Sequence, residues 1–217
     1  MVTLQLQQLV VHPGQCIQLR EVSWEEFEAI LRELGDTRSS RIAYSQGVLD
    51  IRMPLPEHEV AKELLGDMVK ILLEELDLDS ECFGSTTFKR QDLAQGVEPD
   101  QCFYLENSGA MLGKRRVDLT LDPPPDLAIE VDVTSKTSLS TYQALGVPEL
   151  WRLEQGQLRI YQLQDGEYQA VQTSLHFPNF PIAAVLPQFL DRCAQEGRRQ
   201  ALKAFRQWVQ QQAPEVD

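Results

Sequence analysis

The amino-acid sequence predicts an α/β (α+β) fold in which helices flank a mixed β-sheet. Residues 126–133 alternate between apolar and mostly acidic side chains, as in a strand with one buried face. Between Pro56 and Leu76, apolar residues recur at helical spacing. Helical and strand-like segments are interspersed along the whole chain, which is typical of mixed architectures.

The N-terminal part of the chain contains a strand-like lead over residues 1–22 and then a helix. Ser23 is followed three residues later by Glu26, a capping box that predicts a helix start, and Gly35 is placed to end that helix. Next, residues 41–54 predict a β-hairpin. Pro56 then begins the long helix.

The middle of the chain is predicted to consist mainly of strands. They are expected at residues 82–88, 98–105, 118–121, 126–133, 149–153, 158–163 and 168–171. A short helix over residues 138–145 interrupts them, and Gly146 ends it.

The C-terminal end is predicted to form two helices, over residues 184–196 and 198–211. We therefore divide the chain into a domain of residues 1–183 and a C-terminal helical extension of residues 184–217. The last helix carries basic residues at helical spacing, namely Arg199, Lys203 and Arg206. They form either a solvated face or a face that follows a phosphate backbone, and the apolar edge of the helix is compatible with packing in a dimer.

Composition limits the classes of function. The chain of 217 residues has a net charge of −13, which argues against a general polyanion-binding protein, because phosphate binding depends on Lys and Arg. It does not exclude a nuclease, whose metal site is itself acidic. No apolar run is long enough to span a membrane, and the N-terminus lacks the basic start of a secretory signal. The four scattered cysteines have no metal-binding spacing, so we expect reduced thiols and a cytoplasmic protein.

Carboxylates occupy one face of each of two predicted strands. Asp126, Glu130 and Asp132 lie on the polar face of one strand, and Glu98 and Asp100 share a face of the other. Buried like charges are costly and raise each other's pKa. A divalent cation would resolve this conflict, and Mg²⁺ accepts one or two carboxylates together with water.

These residues resemble two known patterns. Pro99-Asp100 followed by Glu130-Val131-Asp132 is similar to the PD-(D/E)XK nuclease motif. The phrases EPDQCFYL, PDLAIEV and YQALGVPELWRL resemble the Uma-two family of putative restriction endonucleases.

The resemblance implies a restriction-endonuclease-like core and Mg²⁺-assisted hydrolysis of phosphodiester bonds in DNA, with Mn²⁺ as a possible substitute. Asp100 and Glu130 would hold the metal ion. Asp132 stands where the motif has its lysine, and the resemblance implies that Lys136, four residues further on, reaches back to the site. Asp100, Glu130, Asp132 and Lys136 are therefore the expected catalytic residues, and pairing in a homodimer would let the protein cut both strands.

Structural interpretations of the same residues stay open at this stage. Asp126 could simply start its strand after Pro125. Asp100 and Glu130 could form ion pairs with Lys114 or Arg115, Asp132 could be a solvent-facing strand end, and Lys136 a solvated loop residue. His58 and Glu59, at the start of the long helix, could assist metal binding, or His58 could be a capping or surface residue.

Two other functions compete with the endonuclease hypothesis. The first is a catalytically inactive protein of the same fold that acts as a binding or assembly module, which the missing lysine and the negative net charge favour. The second is a hydrolase acting on a small phosphorylated substrate, which would need no basic DNA groove.

Overall fold

The computed structural model describes residues 8–35, 38–133 and 138–212. Within these ranges the helices are α1 (Trp24–Leu34), α2 (Pro56–Glu75), α3 (Ser108–Met111), α4 (Leu139–Leu145), α5 (Ile182–Glu196) and α6 (Arg198–Gln212). The strands are β1 (Cys16–Leu19), β2 (Arg41–Ser45), β3 (Val48–Arg52), β4 (Glu81–Cys82), β5 (Phe88–Arg90), β6 (Gln95–Val97), β7 (Gln101–Tyr104), β8 (Leu127–Asp132), β9 (Glu149–Glu154), β10 (Gln157–Gln164) and β11 (Glu167–Val171).

The described strands form two sheets. One has five antiparallel strands in the order β1-β3-β2-β6-β5. The other has six strands in the order β11-β10-β9-β8-β7-β4 and is mixed, because β8 and β9 run parallel while the remaining pairs are antiparallel. Helix α4 lies in the crossover between the two parallel strands, as such a connection requires. The predicted mixed α/β architecture is thus confirmed.

Helices cover both faces of the six-stranded sheet. Leu127, Ile129 and Val131 of β8 pack in one apolar cluster with α2, α5 and α6. Ala128, on the opposite face, packs in a second cluster with Tyr142 of α4. The alternation predicted for β8 is therefore confirmed, and it places Glu130 on the α4 side of the sheet.

Most predicted elements occur where the sequence indicates. Ser23 accepts from N of Glu26, whose carboxylate accepts from N of Ser23, so the capping box of α1 is formed. The hairpin of β2 and β3, the start of α2 at Pro56 and the end of α4 at Gly146 are also confirmed.

Two strand predictions are wrong, and a third strand begins later than predicted. The segment 82–88 is not one strand, because β4 pairs with β7 in one sheet and β5 pairs with β6 in the other. Gly84, with φ +57°, turns the chain between them. The segment 98–105 becomes regular only at Gln101, since Pro99 cannot donate to a ladder. Residues 118–121 form a turn closed by N of Leu121 donating to O of Asp118 at 2.9 Å.

The C-terminal helices share the core cluster of α2 and β8. On the outer side, Arg198 pairs with Asp67 and Arg206 pairs with Glu74 and Glu75, all three acids belonging to α2. These basic residues therefore bind α2, which leaves less of α6 to follow a phosphate backbone. The division of the chain at residue 184 stays a prediction. No helix in the described ranges has the length and apolar character needed to cross a membrane.

Candidate active site

Asp100 immediately precedes β7 in the chain and lies beside β8, the neighbouring strand. Its N donates to the carbonyl oxygen of Ile129 at 3.1 Å, and N of Val131 donates to its Oδ2 at 2.8 Å. The carboxylate takes the place of a backbone carbonyl at the end of the β7–β8 ladder. Asp100 is only 3% exposed, so this bond fixes a nearly buried charge against β8.

His58, in the first turn of α2, holds the same carboxylate from the other side. Nε2 of His58 lies 2.9 Å from Oδ2 of Asp100, and the carboxylate can only accept, so the ring nitrogen donates. The helix is preceded by Leu55, and no side chain caps it. The interpretation of His58 as a capping or surface residue is therefore wrong, and the residue orients Asp100.

Glu130 is buried in the middle of β8. It is 2% exposed, and the hydroxyl group of Tyr142 from α4 donates to its Oε1. Burial also raises the pKa of Tyr142 well above its usual value, and the neighbouring Glu130 adds to this effect, so the hydroxyl keeps its proton and stays a donor.

Asp100 and Glu130 are electrostatically coupled. Burial raises the pKa of Glu130 to about 8, and the charge of Asp100 is the next largest cause of this rise. Arg52 and the hydrogen bond from Tyr142 act in the opposite direction but do not cancel the rise. Of the acids on the two predicted strand faces, Asp100 and Glu130 thus act on each other from two neighbouring segments, and their joint binding of a metal ion stays a prediction.

Arg52, the last residue of β3, brings a positive charge to these acids from the other sheet. Burial lowers its pKa, but Glu130, Tyr142, Asp100 and Asp132 together raise it, and the net shift is upward. The guanidinium group therefore stays charged. Nothing in the local sequence pattern marks Arg52 or Tyr142 as a site residue.

Asp132 is held in a separate ion pair. Nε of Arg152, on β9, donates to Oδ2 of Asp132 at 2.5 Å, and Asp132 is 6% exposed. The interpretation of Asp132 as a solvent-facing strand end is therefore wrong. Lys136 lies outside the described residues, so its expected approach to the site stays a prediction.

Three other buried acids serve the fold. Glu98 binds Arg38, Thr87 and N of Ile42, so it does not point the same way as Asp100, although the alternation of residues 98–105 predicted a shared strand face. Asp126 accepts from N of Leu105 and from two nitrogens of Asn107, which confirms its structural role at the strand start. Glu149 accepts from donors on four residues, namely Trp151, Gln162, Ser174 and Leu175. Lys114 binds Asp122, so it does not neutralise Asp100 or Glu130.

A small pocket between residues of the two sheets adjoins Asp100. Its lining includes Arg41, Arg52, His58, Asp100 and Val131. Glu130, which is 2% exposed, is not part of this lining. A ligand in the pocket would therefore meet Asp100, His58 and two arginines first.

The acid pair fits Mg²⁺ better than a metal that requires many protein ligands. Among the described residues, no group of three or more His, Cys, Asp and Glu side chains is arranged to hold a metal ion. Mg²⁺ retains several waters and is commonly bound by one or two carboxylates plus substrate phosphates. Within the described ranges, Oδ1 of Asp100 and Oε2 of Glu130 receive no hydrogen bond, so each acid keeps one oxygen for such a ligand.

A mixed sheet flanked by helices is the core that the family resemblance implied. The chain belongs to the Uma2 family, described as "putative restriction endonuclease", which it matches over residues 24–193. The resemblance to this family predicted from the sequence is confirmed.

Among solved structures, the chain is similar to one described as a putative nuclease belonging to DUF820 from Anabaena variabilis ATCC 29413. The two sequences are 13% identical, and the match covers 83% of this chain and 99% of the other, with a TM-score of 0.49. No curated protein matches the chain.

Proposed function

We propose that the protein is a Mg²⁺-dependent endonuclease that hydrolyses phosphodiester bonds in DNA. The observation that carries the proposal is the coupled acid pair, Asp100 and Glu130, next to a pocket lined by arginines. The pKa of Glu130 is raised by burial and by the charge of Asp100, so this pair of buried carboxylates would be stabilised by positive charge, which a divalent ion would supply. Membership of the restriction-endonuclease family supports the same activity.

In this proposal Asp100 and Glu130 would hold Mg²⁺, or Mn²⁺ in its place, and the ion would supply an activated water and charge stabilisation at the phosphate. The protein keeps the two ligands in position. His58 and N of Val131 fix Asp100, while Tyr142 fixes Glu130. Such outer partners commonly affect metal affinity 10–100-fold.

The roles of Asp132 and Lys136 are proposed from the motif. Lys136 would supply the motif lysine from the segment after β8. Asp132 would act indirectly, since its carboxylate is bound to Arg152. DNA as substrate, a homodimer and a cytoplasmic location belong to the same proposal.

A second candidate function is that of a catalytically inactive binding or assembly module. The observation in its favour is that position 132 holds an acid paired with arginine instead of a lysine. The net charge of −13 also weakens contact with DNA over most of the surface.

Isothermal titration with Mg²⁺ and Mn²⁺ distinguishes these functions when it is combined with plasmid cleavage. We expect the wild type to bind the ions and cut DNA, and Glu130→Ala to lose both activities. Glu167→Ala is the matched control, because Glu167 is exposed on β11. Metal binding without cleavage of DNA or RNA would favour the binding module, and equal metal binding by wild type and Glu130→Ala would refute the site.

A further inference from the structure

We propose that Arg52 binds the substrate phosphate and supplies the positive charge that position 132 lacks. The inference rests on the proposed function, since it assigns a phosphate-binding residue to that same site. The ligand class is a phosphodiester, and the contact is a hydrogen-bonded ion pair to its non-bridging oxygens.

The position of Arg52 in the five-stranded sheet is unusual. It is paired across strands with Arg41 of β2, and Cys16 of β1 is its partner on the other side. Like charges directly opposite one another destabilise a sheet unless anions offset them. Both arginines line the pocket that Asp100 also lines, so the two sheets bring their charges of opposite sign to one place.

The other cations near the site already have partners. Arg41 lies 3.6 Å from Glu59, and Lys62 lies 2.6 Å from the same carboxylate. Arg152 binds Asp132, as described above. In the part of the chain that the structure describes, Arg52 forms no ion pair, although the charges of Glu130, Asp100 and Asp132 all act on it.

Arg52 therefore combines two properties that a phosphate-binding residue requires. Its charge is secured by the acids around it, and its guanidinium donors are not consumed by a direct ion pair. The planar guanidinium group can donate two parallel hydrogen bonds to two phosphate oxygens, which an ammonium group cannot do. Because charge develops on these oxygens during phosphoryl transfer, a fixed donor there favours the transition state.

The test compares Arg52→Met and Arg52→Lys with wild type. Arg20→Met serves as the matched control. Arg20 is exposed and follows the last residue of β1, whereas Arg52 pairs with the first residue of that strand, Cys16. The binding probe is a short fluorescein-labelled DNA duplex in EDTA, followed by anisotropy over a range of salt concentrations. Plasmid cleavage with Mg²⁺ and calorimetric Mn²⁺ binding are measured on the same variants.

We expect Arg52→Met to reduce turnover ~10²-fold and to weaken duplex binding ~5-fold or more. The slope of log affinity against log salt concentration should become shallower by about one unit, which corresponds to the loss of one phosphate contact. Mn²⁺ binding should persist, Arg52→Lys should be intermediate, and Arg20→Met should behave as wild type. If Arg52→Met matches Arg20→Met in cleavage and in duplex binding, the proposal is overturned.

The binding measurement separates this inference from the proposed function. If the wild type cleaves nothing but binds the duplex, the endonuclease proposal fails, and selective loss of binding in Arg52→Met still supports the phosphate contact. If the wild type neither binds nor cleaves, both are overturned. If melting shows that Arg52→Met does not fold, Arg52→Lys replaces it as the test. Reduced turnover of Arg52→Lys at an unchanged melting temperature supports the phosphate contact, and unchanged turnover refutes it.

Discussion

Asp132 of β8 and Arg152 of β9 form a buried ion pair between two parallel strands, with Nε of Arg152 donating to Oδ2 of Asp132 at 2.5 Å. The strand register places Arg152 beside Glu130 and Glu154 beside Asp132, so the guanidinium group reaches diagonally to its partner. Arg152 also lies 3.5 Å from Glu154. The motif position is thus occupied by an acid whose charge is already compensated.

Arg152→Met should destabilise the protein by ~3 kcal/mol, because removal of one partner leaves a buried charge uncompensated. The double variant Arg152→Met, Asp132→Val should recover most of this loss, since the buried charge of Asp132 is removed together with that of its partner. Urea denaturation measures both effects. A single variant as stable as wild type would mean that the pair does not exist in solution.

The raised pKa of Glu130 makes the stability of the metal-free protein depend on pH. The folded state holds the Glu130 proton up to about pH 8, whereas the unfolded chain releases it near the ordinary glutamate pKa. The folded state therefore binds more protons between these values, and its stability falls as the pH rises through this window. The stabilisation is complete below the ordinary pKa and is lost above about pH 8.

Glu130→Gln should flatten this pH dependence and raise the melting temperature of the metal-free protein at pH 8.5. The difference from wild type should be on the order of a few kcal/mol at high pH and small at pH 5. Mn²⁺ should stabilise the wild type by mass action and leave Glu130→Gln unchanged. Calorimetric melts with and without Mn²⁺ test this, and an equal Mn²⁺ shift in the two proteins would contradict the site. Glu167→Gln is the exposed control.

The sequence was sufficient to predict which face of β8 carries Glu130. The alternation of β8 separates Ile129 and Val131 from Glu130, because a half-buried strand must place its apolar residues on one face. The error at Glu98 had a visible cause in Pro99, whose missing N–H interrupts the strand so that Glu98 and Asp100 turn to different partners.

The cation and the hydroxyl group of the site could not be predicted in this way. Arg52 follows the apolar residues of β3 as the partner of Arg41, and Tyr142 belongs to a short helix, so neither differs in local pattern from an ordinary strand or helix residue. Their approach to Glu130 depends on how the two sheets and α4 pack together. Periodicity reports which face of an element is buried, but it does not report which elements meet.

His58→Ala should lower nuclease turnover ~10-fold or more, because Asp100 would lose one of the two donors that hold it for metal binding. His58→Gln can still donate from its side-chain amide and should restore part of the activity. Mn²⁺ affinity measured by calorimetry should fall in His58→Ala, while the melting temperature changes little. If affinity and turnover both remain at wild-type values, His58 contacts Asp100 without a role in the site.

Glu149 provides a contrasting buried acid, because its carboxylate stabilises the fold. Glu149→Ala should cost ~3 kcal/mol or more, since it leaves the Trp151 indole N–H and the Leu175 amide without their acceptor. Mn²⁺ binding to the remaining folded protein should match wild type. A loss of Mn²⁺ affinity at unchanged stability would instead place Glu149 in the metal site.

Lys136→Ala addresses the lysine that the motif requires. If Lys136 supplies that charge from the segment after Asp132, its removal should reduce turnover ~10²-fold or more while metal binding stays largely intact, because a cation near the transferring oxygens stabilises the developing charge. Lys136→Arg should restore activity only in part, since arginine cannot give up its proton to assist the attacking water.

Comparison with Arg52→Met separates the roles of the two cations. If both cations act on one phosphate, the double variant should lose less activity than the product of the single losses predicts, since neighbouring residues that act together are not additive. Single-turnover cleavage of plasmid DNA with Mg²⁺ measures all three variants. If Lys136→Ala cleaves as fast as wild type while Arg52→Met does not, the site takes its positive charge from β3 and Lys136 is a surface residue.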